Sequence, residues 1–446
     1  MAESGKTART AGKRRKWPYV VAIVFFIVAG LLLIAQDQAT LRVESPVEAS
    51  APRVADYVAS LVGAAVEPGD AYTVLRNGDA FPPMLEAIDQ ATSRITFETY
   101  VFKDEAIGER FMQALERASR RGVKVRMILD PIGSVLKKEN EERMAKAGIQ
   151  LSWFNPLKFW TLEETNYRTH RKVLVVDGDV AFTGGMGVAD QWLGNAEDPE
   201  HWRDTQFKIT GPAVRALEAS FYENWIESGG RSAPALDPEP PPRPTGARSV
   251  VLWSNPTAGA SNVKLLYLLA IGTARKTLDI QSPYITLDES TRWSLAEARR
   301  RGVRVRIVTE GEVTDAMPVK HASRYGYQDL LDQGVEIFEY QPTMMHTKAL
   351  MVDGAFSVIG SANFGNRSFE LNDELTVAVF DPEMRKAFAG IANNQKHIME
   401  CPLFLAWIAD TSRLARLGEQ EKVELYRGAR AFVNPTRLLL IDEPSK

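Results

Sequence analysis

In "MLEAIDQATSRITFETYVF" the apolar residues first recur at helical spacing and then crowd into a short run rich in β-formers, which predicts an amphipathic helix followed by a strand. "LLYLLAIGTARKTLDIQSPYI" repeats that order in the second part of the chain. Each is followed by a helix end, a glycine stop and a strand, as "ASRRGVKVRMILD" (residues 118–130) and "ARRRGVRVRIVTE" (residues 298–310). Further on, "AKAGIQLSWFN" and "LDQGVEIFEYQ" again give helix, glycine and strand. Strands alternating with helices predict α/β layers. Two copies about 180 residues apart predict a duplicated domain.

Breaks in the pattern divide the chain. Residues 17–36, "WPYVVAIVFFIVAGLLLIAQ", carry no charged side chain. A helix of about 20 residues spans about 30 Å, the thickness of a hydrocarbon core. Trp17 and Tyr19 stand at one end, as interfacial aromatics do. The run is longer than the apolar stretch of a cleaved signal peptide, usually about 7–15 residues. An uncleaved transmembrane helix is therefore preferred, with the signal peptide as its rival. Residues 37–70 are small, polar and mixed, and read as a stalk. The proline-rich stretch at residues 229–249 cannot continue a helix or a central strand and reads as a linker. The expected units are then residues 71–228, residues 250–400 and a tail at residues 401–446. In the tail, Leu403, Leu405, Trp407, Ile408, Leu414 and Leu417 suit a helix packed on its own domain better than one lying in a membrane interface.

Charge adds a direction. Residues 1–16 hold Lys6, Arg9, Lys13, Arg14, Arg15 and Lys16 against Glu3. This basic N-terminus is expected to stay in the cytoplasm, placing the remainder outside it behind a single-pass anchor. The whole chain has a formal net charge of −3, so everything after residue 16 carries −8. That does not suit a nucleic-acid binder. The basic run Arg299, Arg300, Arg301, Arg304 and Arg306 reads as a solvated face. The single cysteine, Cys401, excludes an intrachain disulfide and a cysteine-based zinc site.

The candidate chemistry is itself duplicated. "HRKVLVVDGDVAFTGG" begins at His170 and "HTKALMVDGAFSVIGS" at His346. The pairs His170/His346, Lys172/Lys348, Asp177/Asp353 and Gly184/Gly360 are each 176 residues apart. One H-x-K is uninformative; two H-x-K-x4-D-G units at matching places are a strong signal. Side chains alternate along a strand, so His170 and Lys172 are expected on one face and Asp177 on the other. Asp177 and Asp353 also open Asp-Gly turns, which favours a structural carboxylate over direct chemistry. Two imidazoles with two ammonium groups suit phosphoryl chemistry: neutral imidazole is a nucleophile, imidazolium a general acid, and lysine stabilises phosphate oxygens. The motif demands no metal or other cofactor. Each imidazole needs an acceptor on its far nitrogen. Asp204 in "HWRDTQFKI" and Glu374 in "ELNDELTVAVF" are the candidates, Asp204 for His170 and Glu374 for His346.

At these residues the chain resembles the phospholipase D superfamily, whose H-x-K-x4-D motif occurs twice per active site. "GSAN", which contains Ser361 and Asn363, matches the continuation of that motif. "TGGMGVADQWLG", "HWRDTQFKITGPAV" and "NFGNRSFELNDEL" make it most similar to the bacterial cardiolipin synthases. The resemblance implies two α/β/α sandwich domains whose histidines meet, no metal, and a phosphohistidine intermediate. It implies attack by His170, proton donation by His346, and an acid behind each histidine at Asp204 and Glu374. Ser361 and Asn363 are expected at the substrate phosphate. The first half departs from the pattern: "GGMG" offers no polar counterpart to them. The implied reaction transfers a phosphatidyl group between two phosphatidylglycerol molecules, giving cardiolipin and glycerol in the bacterial cell membrane. The implied partner is a membrane phospholipid, with no nucleic acid and no obligate protein partner. A phospholipase D using water, a membrane-anchored nuclease and a non-catalytic lipid-binding scaffold are the competing readings.

Overall fold

The computed structural model describes residues 40–156, 166–231, 245–256 and 262–384. The apolar run at residues 17–36, most of the proline-rich linker and the tail from residue 385 lie outside them. Among the described residues no helix is long and apolar enough to cross a membrane.

The first half opens with α1 (Val54–Val62), β1 (Glu67–Arg76), α2 (Phe81–Gln90), β2 (Arg94–Thr99), α3 (Ala106–Arg120), β3 (Lys124–Leu129), α4 (Lys138–Lys146) and β4 (Gln150–Trp153). It closes with β5 (Arg168–Thr169), β6 (Val173–Val176), β7 (Val180–Gly184), β8 (Thr205–Thr210) and α5 (Ala213–Glu227). The second half begins with β9 (Ala247–Trp253), α6 (Asn262–Thr273), β10 (Thr277–Gln281), α7 (Glu289–Arg300) and β11 (Arg304–Glu310). It continues with α8 (Met317–Tyr325), α9 (Tyr327–Asp332), β12 (Glu336–Tyr340), β13 (Ala349–Val352) and β14 (Phe356–Gly360). The last described elements are α10 (Asn366–Glu370), β15 (Asn372–Asp373) and β16 (Leu375–Phe380). The glycine stops fall where the pattern predicts them: Gly122 (φ 92°) and Gly302 (φ 85°) turn α3 into β3 and α7 into β11.

The duplication is written into one 14-stranded sheet, in the order β12-β11-β10-β13-β14-β16-β9-β1-β8-β7-β6-β2-β3-β4. Read outward from the central β9–β1 pair, the two sides match strand for strand. β2, β3 and β4 run parallel to one another, as do β10, β11 and β12, while the inner strands pair antiparallel. The expectation of two sandwiches becomes two halves of one layer. Antiparallel pairing of β1 with β9, including Glu67 opposite Ser249, covers an edge that each half alone would expose. Beneath it a single core draws Val173, Phe207, Phe221 and Trp225 from the first half and Val251, Ile359 and Val377 from the second.

Two expectations need correction. Residues 37–70 are not a stalk throughout: Ala49, Val54, Val58 and Val62 pack into the second half's core with Val250, Leu266 and Ile280. Their apolar spacing is that of an amphipathic helix, too short to stand out in a mixed stretch. Arg306 is not solvated either, because it is buried on β11 and paired with Asp279 of β10 at 2.5 Å.

Phe221 is fully buried, 5.3 Å from the Tyr222 ring and 6.0 Å from the Trp225 ring. Phe221→Ala is expected to cost about 3–5 kcal/mol. Because that core belongs to both halves, denaturant titration of the full chain should show both destabilised together.

Candidate active site

The two motifs meet where the halves interlock. β5 and β15 pair in parallel, Arg168 with Asn372 and Thr169 with Asp373. The next residue, His170, donates its backbone N–H to the Asp373 carbonyl at 2.8 Å. His346 likewise donates its backbone N–H to the Arg203 carbonyl at 2.8 Å. Each histidine is therefore seated on the residue just before the other half's carboxylate. The side chains complete the exchange. His170 Nδ1 lies 3.0 Å from both Glu374 oxygens, and His346 Nδ1 lies 2.8 Å from Asp204 Oδ2. This corrects the expected pairing, since Glu374 backs His170 and Asp204 backs His346. The reason is the crossed backbone seating, which follows from strand pairing between halves and not from nearness in sequence. An ionised carboxylate only accepts, so each Nδ1 carries the proton and each Nε2 keeps a lone pair.

Lys172 Nζ donates to the His170 carbonyl at 2.9 Å, and Lys348 Nζ to the His346 carbonyl at 2.6 Å. Both lysines are buried, and both histidines line one cleft of about 710 Å³. Aromatic rings wall it. Tyr100 stands 5.2 Å from the His170 ring and 5.5 Å from Lys172 Nζ. Trp202 and Trp192 stand 5.2 Å and 5.7 Å from the His346 ring. Sequence reasoning missed these walls. A signal did exist, because Tyr100 and Tyr284 follow the first strands of the matching helix–strand units, one and three residues after β2 and β10, and both line the cleft.

The two carboxylates are dressed differently. Glu374 accepts from the hydroxyls of Ser361 and Ser368 and from Asn372 Nδ2. Burial works to raise its pKa, but His170, Lys172 and Ser361 outweigh it and hold it at about 2. Asp204 accepts from Trp192 Nε1 at 3.0 Å and from the Thr205 N–H at 2.7 Å. Burial raises it to about 6, with Lys348 as the main opposing charge. The first half's "GGMG" is explained here, because a side chain on Gly185 would collide with the Asp204 carboxylate. Ser361 is thus corrected from a phosphate ligand to a partner of Glu374. Asn363 does line the cleft, and its buried Oδ1 has no hydrogen bond among the described residues.

The two motif aspartates, Asp177 and Asp353, are not brought to the cleft. Both occupy left-handed turn positions, at φ 56° and 53°. Asp177 accepts from the backbone N–H groups of Thr92, Ser93 and Arg94 at 2.8–2.9 Å. Asp353 accepts from those of Arg275, Lys276 and Thr277 at 2.7–2.8 Å. Each ties its hairpin to the start of the neighbouring strand, β2 or β10. Asp177→Ala is expected to leave those donors unpaired and to destabilise the chain by about 1–3 kcal/mol. Turnover per folded molecule should be unchanged.

Crowding four buried basic groups, three lining the cleft and Lys348 against His346, drives them toward neutrality. Burial lowers His170 to about 4 against the pull of Glu374, and carries His346 well below its usual value with help from Lys348. Burial also brings Lys172 down to about 7 and Lys348 to about 8. An anion entering the cleft reverses this by favouring every charged form. Since the free protein loses its ammonium charges as pH rises through about 7–8, kcat/KM for an anionic substrate should fall over that range. Lys172→Arg, which cannot deprotonate, should move that limb to higher pH.

A family model described as "Cardiolipin synthase, PLD-like domain" matches residues 84–225 and 267–395. Cardiolipin synthase 1 of Bacillus anthracis is 35% identical over 70% of this chain and 63% of its own length. Cardiolipin synthase A of Pseudomonas fluorescens is 34% identical over 70% of this chain and 66% of its own length. The matched region thus spans just under two thirds of these relatives. Among solved structures, a phosphatidylserine synthase from Haemophilus influenzae superposes with a TM-score of 0.57 over 85% of this chain and 98% of its own. At 12% identity that likeness shows the fold alone.

Proposed function

Because the chain belongs to the cardiolipin synthase, phospholipase D-like family, we propose that it transfers a phosphatidyl group between two phosphatidylglycerol molecules, giving cardiolipin and glycerol. The observation that carries this reading is the crossed pair of histidine–carboxylate contacts facing one cleft. His170 Nε2 attacks the phosphorus of the first lipid while Lys172, Lys348 and Asn363 hold its non-bridging oxygens. The P–N bond forms as the P–O bond to glycerol breaks, and His346, protonated at Nε2 once the anionic substrate is bound, gives that proton to the departing oxygen. His346 then takes the proton of a hydroxyl on a second phosphatidylglycerol. That oxygen attacks the phosphohistidine and releases His170. Splitting one displacement into two in this way is covalent catalysis.

The nucleophile is assigned to His170 because Glu374, held ionised by its own donors, stabilises the positive charge of a phosphohistidine. Asp204 is weaker support, and Lys348 Nζ lies 3.0 Å from the same His346 nitrogen. His346 is thus the imidazole whose proton is more easily exchanged. Asp177 and Asp353 serve this chemistry only by holding the strands that carry the motifs.

Lipid is favoured over nucleic acid by the rim of the cleft. Ile132 and Val135 are exposed on either side of cleft-lining Gly133, and Met317 is exposed beside cleft-lining Ala316 and Pro318. Apolar side chains left in water around a site are the mark of a membrane-facing surface. The uncharged run at residues 17–36 is proposed as an uncleaved anchor holding this rim at the bilayer, with the catalytic halves outside the cytoplasm. Residues 71–228 and 250–400 are proposed as the duplicated units joined by the linker at residues 229–249, with both units extended a few residues forward to the starts of β1 at Glu67 and β9 at Ala247.

Purified protein given phosphatidylglycerol vesicles alone should yield cardiolipin and glycerol. Phosphatidic acid with glycerol would make it a phospholipase D instead. His170→Ala should reduce both to background and His346→Ala should cost about 10²–10⁴-fold. Full activity in His170→Ala would sink the reading.

A further inference from the structure

Among the described residues that line the cleft, Asp315 is the one carboxylate, and the mechanism leaves it unused. Asp315 is exposed in the cleft wall and belongs to the second half, the half that supplies His346. It comes two residues before α8, one before the N-cap position. Here no side chain caps that helix at its N-cap, Ala316. Asp315 Oδ1 instead accepts from Tyr284 Oη at 2.6 Å. The Tyr284 ring stands 6.4 Å from the His346 ring. The charge of Asp315 is felt at His346 and at Lys348. A carboxylate beside the path of a phosphodiester anion repels it, unless the substrate also brings hydrogen-bond donors to that spot.

In-line displacement decides where those donors lie. With His170 on one side of phosphorus, the leaving alcohol is on the other, next to His346. The accepting alcohol must later come to the same place, since it attacks along the reverse path. We propose that Asp315, oriented by Tyr284, binds the free hydroxyls of the glycerol headgroup, first of the departing glycerol and then of the accepting lipid. Asp315 is then a specificity residue for a polyol, and it favours an alcohol acceptor over water by holding that alcohol against His346. This inference rests on the phosphatidyl-transfer reading.

The test compares two soluble acceptors with phosphatidylglycerol vesicles as donor. Labelled glycerol entering phosphatidylglycerol is measured against ethanol entering phosphatidylethanol. Ethanol has no second hydroxyl for the carboxylate, so it reports the phosphoryl chemistry and folding alone. In Asp315→Ala the ratio of kcat/KM for glycerol to that for ethanol should fall about tenfold or more, as expected for loss of a charge-assisted hydrogen bond. Tyr284→Phe should shift the ratio less, in the same direction, by freeing the carboxylate to turn away. If both variants keep the parent ratio, or lose both acceptors in equal proportion, Asp315 does not select the polyol. If the parent protein transfers to neither acceptor, the transferase reading fails and takes this one with it. Parent transfer with an unaltered ratio in the variants overturns this inference alone.

Discussion

The exchange of carboxylates between halves is the contact on which the cleft depends. A buried imidazole has an ill-defined tautomer until something claims one nitrogen. Here Glu374 claims His170 and Asp204 claims His346, each from across the junction. The backbone repeats the exchange one residue away, through the bonds from His170 to Asp373 and from His346 to Arg203. Neither half has a complete site of its own. Docking by the β1–β9 pair and the shared core is therefore part of the chemistry as well as of stability.

Symmetry of the fold does not make the two histidines equivalent. Glu374 sits among hydroxyl and amide donors and stays ionised, while Asp204 has an indole, a backbone N–H and a raised pKa. The difference begins with a single position. Ser361 supplies a donor in the second half, and Gly185 supplies only room in the first. One imidazole is thereby suited to carrying charge and the other to passing a proton. The lysines hold the balance in the other direction, because burial lowers their pKa values until an anion arrives to pair with them.

Much of this was legible in the residues. The duplicated H-x-K-x4-D-G units named His170, Lys172, His346 and Lys348 because a coincidence repeated at a constant spacing is not noise. Alternation separated Asp177 from His170, and the turn chemistry of Asp-Gly gave the aspartate its structural task. The helix–glycine–strand units located α3–β3 and α7–β11 through the left-handed glycines that end their helices. Less was legible where the signal was composition alone. The segment before β1 looked like a stalk, and Arg306 looked solvated, because burial is decided by partners that a local window does not contain.

The sequence by itself determined the duplicated α/β pattern, the two histidine–lysine pairs and the candidate acids, since these follow from residue type and periodicity along one chain. Only the tertiary structure decided which acid serves which histidine, that the halves share a sheet, and that Tyr100, Trp192, Trp202 and Asp315 face the same cleft. The physical reason is that hydrogen bonds and packing act over a few ångströms in space. His170 and Glu374 are 204 residues apart and in contact, whereas His170 and Asp204, much nearer along the chain, serve opposite sides of the site.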